Sequence, residues 1–129
     1  SRLEVPVPST WEYQQALTDC ESLRRVVARY FTRFDLLLCP MSVVPAHPHG
    51  VAELDVDGQR VIPRNALRAA VPFDLTGSPA ISVPFGWSED GLPIGVQLVA
   101  RHLDEATLLR AAAALEASHS PSQRRPPVG

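Results

Sequence analysis

The stretch from Pro72 to Ala117, PFDLTGSPAISVPFGWSEDGLPIGVQLVARHLDEATLLRAAAALEA, constrains the fold more than any other part of the chain. A Pro- and Gly-punctuated lead-in is followed by the apolar run Ala80–Val83, closed by Pro84. A polar loop with Ser88, Glu89, Asp90 and Gly91 comes next, then a second apolar run, Ile94–Ala100, and a helical pattern. This succession reads as strand, loop, strand, helix. A parallel pair needs a crossover of about a dozen residues or more, which the loop cannot supply, so the strands should pair antiparallel. Asp104 is placed to cap the helix, with Leu103 and Leu108 as a hydrophobic staple and Leu108, Leu109, Ala112 and Leu115 as its inner stripe.

Upstream, Ser1–Pro8 shows no sustained period, and Ser9-x-x-Glu12 has the spacing of a capping box. A helix of about six turns should begin near Thr10 and run toward Phe34. Tyr13, Ala16, Leu17, Cys20, Leu23, Val27, Tyr30, Phe31 and Phe34 form its apolar stripe, which predicts packing on a sheet. The following run, Leu36-Leu37-Leu38-Cys39, does not alternate, as expected of a central strand buried on both faces with Leu37 and Leu38 both covered. Pro40–Gly50 is then a loop at a strand's carboxyl end, the usual ligand side of an open α/β sheet. Leu54 and Val56 should face Val61 and Ile62 across the Asp57-Gly58 turn, and Arg64–Val71 should form a turn or two of helix before Pro72. The fold class expected is α/β, a mixed β-sheet with flanking helices.

A chain of 129 residues with 45% hydrophobic content supports one domain. Its net charge of −2 and 12 scattered bases argue against a nucleic-acid partner. All of those bases are Arg, so the chain carries no lysine base, Schiff base or phosphate-loop lysine. Cys20 and Cys39 stand in no disulfide or metal spacing and read as packed thiols of a reducing compartment. With no apolar run of about 18 residues and no signal-peptide pattern, the expectation is a cytoplasmic location without a membrane partner.

Local candidates for chemistry are weak. Ser78 in Thr76-Gly77-Ser78-Pro79 departs from the G-x-S-x-G elbow, because Ala80 stands where the second Gly belongs. Ser42 and Ser82 have no His at a motif spacing, and Ser78, His102 and Asp74 form a triad only in residue type. His47 and His49 supply two imidazoles where a zinc site uses three or four ligands, so no metal ligands are assigned. Cys39 lacks an adjacent base.

PFDLTGSPAISVPFG, DGLPIGVQL and DEATLLRAAAALE, in that order and preceded by DLLLCPMSVVPA at Asp35–Ala46, resemble the C-terminal part of the amidase signature family of amide hydrolases. The resemblance implies that residues 1–118 are the C-terminal segment of an amidase-signature domain and that 119–129 form a Pro/Arg-rich flexible tail. It implies a parent enzyme that hydrolyses a carboxylic amide to acid plus ammonia or amine, without a metal or organic cofactor. In that family a nucleophilic Ser, a bridging Ser and a Lys do the chemistry, and this chain lacks both the Gly/Ser-rich segment and the Lys. No catalytic residue is therefore assigned. The expected role is scaffold and pocket wall, with Pro40, Met41, Phe73, Thr76, Gly77 and Pro79 as substrate-binding candidates. Met41 and Phe73 favour an apolar or aromatic acyl group. Asp74 stands where the family's N-L-x-G pattern has Asn. Expected partners are the missing N-terminal part of the amidase or a partner chain, a small-molecule amide substrate and a further copy of the chain. The alternatives are a non-catalytic binding module and one chain of a split amidase.

Overall fold

The computed structural model describes residues 6–118, so the 119–129 tail lies outside the described residues. Helix α1 spans Thr10–Tyr30 and begins with the expected capping box. The Ser9 hydroxyl accepts from the Glu12 N–H at 3.3 Å, and the Glu12 carboxylate accepts from the Ser9 N–H at 2.8 Å. That backbone bond first, and the Ser9 hydroxyl donating to the same carboxylate at 2.7 Å second, hold the Glu12 carboxyl below its ordinary range. The helix stops at Tyr30 rather than reaching Phe34. The Phe31 N–H still reaches the Val27 carbonyl four residues back, but the Thr32 and Arg33 N–H groups turn to Arg29 and Tyr30, three residues back, ending the regular ladder.

Strand β1, Leu36–Pro40, pairs antiparallel with β5, Pro93–Ala100, which in turn pairs antiparallel with β4, Ala80–Trp87. The sheet order is β1-β5-β4. This corrects the expectation of a central, doubly buried β1: the strand lies at an edge and Leu38 is 56% exposed. The sandwiched position belongs to β5. Its Leu98 and Ala100 pack toward α3, Glu105–Ser118, with Val83, Leu108 and Ala112. Its Val99, fully buried, packs on the opposite face with Phe31 and Phe73. Alternation along one strand thus serves two cores.

Only the end of α1 takes part in the second core, through Val27, Tyr30 and Phe31. No residue within the helix is fully buried, and Tyr13 and Leu17 are 55% and 44% exposed, so the predicted stripe is covered along its last turns alone. The element that packs against α1 most is α2, Val71–Thr76. This helix replaces the irregular lead-in expected around Pro72. Proline fits the first turn, where its missing N–H has no intrahelical partner, and Gly77 closes the turn at φ 69°, accepting the left-handed geometry at little cost. The turn expected before it is a 3₁₀ helix over Pro63–Leu67.

Strand β4 runs on through Pro84 to Trp87 instead of ending there. An edge strand tolerates proline because a missing N–H on its open side breaks no ladder, and the pairing shifts between Pro84 and Gly86. The peripheral hairpin forms as expected from β2, Leu54–Val56, and β3, Gln59–Val61, with Asp57 and Gly58 both at positive φ. Ile62 falls just outside it. In α3, Thr107 N–H reaches Asp104 at 3.4 Å, but Leu103 is 77% exposed at φ 63° and makes no staple. Leu109 is also exposed, and Ala111 joins Leu115 beside the buried Leu108 and Ala112.

Candidate functional site

The loop after β1 folds over the end of the sheet. Val43 N–H donates to the Ala66 carbonyl at 3.1 Å, which ties the loop to the 3₁₀ turn, and Ala66 is buried. Met41 and the residues up to Ala46 then face Ser82 and Pro93–Gly95 across a cleft of about 310 Å³. A neighbouring concavity of about 560 Å³ has His47 and His49 on its wall with Ala66 and Leu67. Among the described residues no group of three or more His, Cys, Asp or Glu side chains comes together in metal-holding range.

A third cleft, of about 610 Å³, lies between α1 and the turns that follow α2 and β5. Its apolar floor is Val27, Ala28 and Phe31, and its polar wall includes Thr76, Ser78, Arg24, Arg101 and His102, with Gly77 between. His102 Nδ1 lies 2.9 Å from the Gly77 carbonyl, an oxygen that can only accept, so Nδ1 carries the proton. Ser78 Oγ is bonded to Thr76 Oγ1 at 2.9 Å. A hydrolytic relay needs that imidazole proton on a carboxylate. Here it rests on a backbone carbonyl while Asp74 stays exposed, so the Ser78, His102 and Asp74 set is not assembled. Arg24 is paired with Glu21 and Arg101 lies 3.7 Å from Asp104. Hydrogen bonding from Thr107 first, aided by Arg101 and Arg110, lowers the Asp104 carboxyl from its ordinary value.

The substrate-binding candidates are thus distributed over the fold. Met41 lines the cleft of about 310 Å³, and Thr76 and Gly77 line that of about 610 Å³. Phe73 is 9% exposed in the second core. Pro40 is exposed at the end of β1, and the Pro79 carbonyl accepts from the Ala100 N–H at 3.0 Å.

One buried polar side chain escaped the sequence reading. Gln97 is 3% exposed in the middle of β5, and its Nε2 donates to Cys39 Sγ at 3.3 Å and to the Ala69 carbonyl at 3.4 Å. It therefore joins the end of β1, just before Pro40 and Met41, to the segment that leads into α2. A lone amide inside the apolar run IGVQLVA was the available signal. Buried amides persist where they are hydrogen-bonded.

An antiparallel sheet with a helix on each side, and loops gathered at the strand ends, defines an α/β unit that positions loops around clefts. The amidase family model matches residues 3–109, and the chain belongs to that family. It is 39% identical to a glutamyl-tRNA(Gln) amidotransferase subunit of Methanococcoides burtonii over 88% of this chain and 23% of that protein. It is 38% identical to a fatty acid amide hydrolase of Medicago truncatula over 82% of this chain and 18% of that protein. Among solved structures, 6-aminohexanoate cyclic dimer hydrolase superposes with a TM-score of 0.80 and 32% identity, over 92% of this chain and 26% of that one. The chain therefore spans about a quarter or less of the proteins it resembles.

Proposed function

We propose that this chain is the C-terminal portion of an amidase that hydrolyses a carboxylic amide to an acid plus ammonia or an amine. The observation that carries this reading is the family match over residues 3–109, on a chain that spans about a quarter of its relatives and contains no lysine. The chemistry of a neutral Lys drawing a proton through one Ser so that another attacks the carbonyl then belongs to the upstream portion. This portion supplies scaffold and pocket wall. Pro40 and Met41 offer the apolar surface to the acyl group, Phe73 anchors α2 from the core, and Thr76, Gly77 and Pro79 shape the turn into β4. No metal or organic cofactor takes part, and the location is cytoplasmic.

The test has two arms. Alone, the 129-residue chain should show no turnover of small aliphatic or aromatic amides above background. Mixed with the part of the Methanococcoides burtonii protein outside the matched stretch, it should restore hydrolysis, and Met41→Ala should raise KM more than it lowers kcat. Hydrolysis by the chain alone that vanishes in Ser78→Ala overturns the assignment of chemistry to the missing part. Absence of turnover in both arms favours the non-catalytic binding module.

A further inference from the structure

The cleft of about 610 Å³ between the end of α1 and the turns after α2 and β5 stands apart from the one that Met41 lines. We propose that it is a second ligand site, binding a monocarboxylate with its acid group against Arg24 and Arg101 and its apolar body on Val27, Ala28 and Phe31. The proposal does not rest on the amidase reading, and turnover is not its readout.

The two clefts sit at opposite ends of the sheet. Met41 faces Pro93–Gly95 at the start of β5, whereas Arg101 and His102 follow its last residue, Ala100. A strand rises about 3.3 Å per residue, so the length of β5 keeps the clefts about 20 Å apart. A small ligand in one does not reach the other.

What the wall can bind follows from which of its protons are already committed. The Phe73 carbonyl only accepts, so the Thr76 hydroxyl donates to it at 3.4 Å and the Ser78 hydroxyl donates to Thr76 Oγ1 at 2.9 Å. The Nδ1 proton of His102 is held by the Gly77 carbonyl. The two arginines keep donors in reserve. Each guanidinium carries five N–H groups; Glu21 engages Arg24 through one terminal nitrogen, and Asp104 stands 3.7 Å from Arg101, beyond hydrogen-bond length. Among the described residues that line the cleft none is Asp or Glu. The available donors therefore favour an anion, and the planar fork of arginine matches a carboxylate.

The helix ends decide how much charge that anion carries. Helix α1 ends at Tyr30 and α2 at Thr76, so both place carbonyl ends, with their partial negative charge, beside this cleft. A phosphate gathers backbone N–H groups at a helix N-terminus, the reverse of this arrangement. A singly charged group is what remains. Phe31 is 5% exposed and backed by Val99 and Phe73, so the floor is a fixed apolar surface, and the volume suits a small organic molecule. The ligand class is an aryl- or alkyl-carboxylic acid.

A heteronuclear NMR titration of the 129-residue chain with phenylacetate tests this. The Ala28, Phe31 and Gly77 amides and the Arg24 and Arg101 Nε–H signals should shift together and saturate, with a Kd of about a millimolar for so small a probe. Phenylacetamide, uncharged and nearly isosteric, should bind about tenfold more weakly or worse. Arg101→Gln should give the same loss. Ala28→Glu, which sets a carboxylate in the cleft one turn from Arg24, should abolish binding. Both positions are exposed, so neither change disturbs the core, and Arg25→Gln outside the cleft should bind phenylacetate as the unaltered chain does. Equal affinity for the amide, tighter binding of inorganic phosphate, equal losses in Arg25→Gln and Arg101→Gln, or shifts centred on Val43 and Gly95 overturn the proposal. So does the absence of any saturable shift, or a cleft that the unmatched part of the Methanococcoides burtonii protein closes to the probe.

Discussion

The β4-β5-α3 unit and the α1-β1 unit both carry apolar periods, yet only the first is closed. Leu98, Ala100, Val83, Leu108 and Ala112 bury one another within one contiguous stretch of chain. In the second unit, α1 contains no fully buried residue and β1 keeps Leu38 half in solvent. The difference teaches that an apolar period records burial in the complete fold, and a part of a fold can honour it only where both partners are present. Phe31, Phe73 and Val99 make the hinge between the two units, because they alone join the end of α1 to the sheet as a buried cluster.

The sharpest break in that comparison comes from the shared cluster. Phe73→Ala should cost about 3–5 kcal/mol through lost transfer energy and a cavity, and should release α1 together with α2. Leu98→Ala should cost about 2–5 kcal/mol and loosen α3 while sparing the capping box. Denaturant midpoints followed by far-ultraviolet circular dichroism would check both; equal losses for Leu98→Ala and Leu17→Ala would erase the contrast between the units.

A smaller effect separates the two faces of β1. Leu37 packs against the Phe31 cluster and Leu38 does not, so Leu37→Ala should destabilise by about 1–2 kcal/mol and Leu38→Ala by less than about 0.5 kcal/mol. Matching costs would mean that β1 is sandwiched after all. Gly77→Ala should cost about 1–2 kcal/mol, since alanine must enter the left-handed region at φ 69° to close α2. A neutral result in a thermal melt would show that the turn relaxes.

The smallest effect lies at the start of α1. Ser9→Ala should lower stability by about 1 kcal/mol or less, visible as lost helicity more than as a shifted cooperative melt, because that end buries little. The Glu12 carboxyl titrates below its ordinary value of 4.5 when folded. Its contribution is therefore fully present above the unfolded value and is lost as pH falls through the lower folded one. Helicity of α1 should fall in that acid window in the native chain and not in Glu12→Gln, as a circular dichroism titration would read.

Much of the local structure was legible because its causes are local. Ser9 and Glu12 satisfy each other across three residues, Asp57-Gly58 turns a hairpin, and the polar loop at Ser88–Gly91 is too short for anything but an antiparallel return. Pro72 was misleading because proline marks both a strand lead-in and a helix start, and what selects between them is Gly77 closing the turn and Phe73 finding a pocket against Phe31 and Val99. The candidate site was legible as residue types on two loops. That Met41 faces one cleft while Thr76 and Gly77 face another depends on how those loops cross the sheet.

The sequence by itself determined the types of the elements other than α2, the antiparallel pairing of the last two strands and the family, since these depend on periods, turn chemistry and motif order. Tertiary structure alone decided which strand is central, which half of α1 is covered, and that Gln97 stitches β1 to the α2 segment. Those are contacts between residues 28 and 58 positions apart in the chain, and no local preference encodes which of several apolar runs reaches the middle of a sheet.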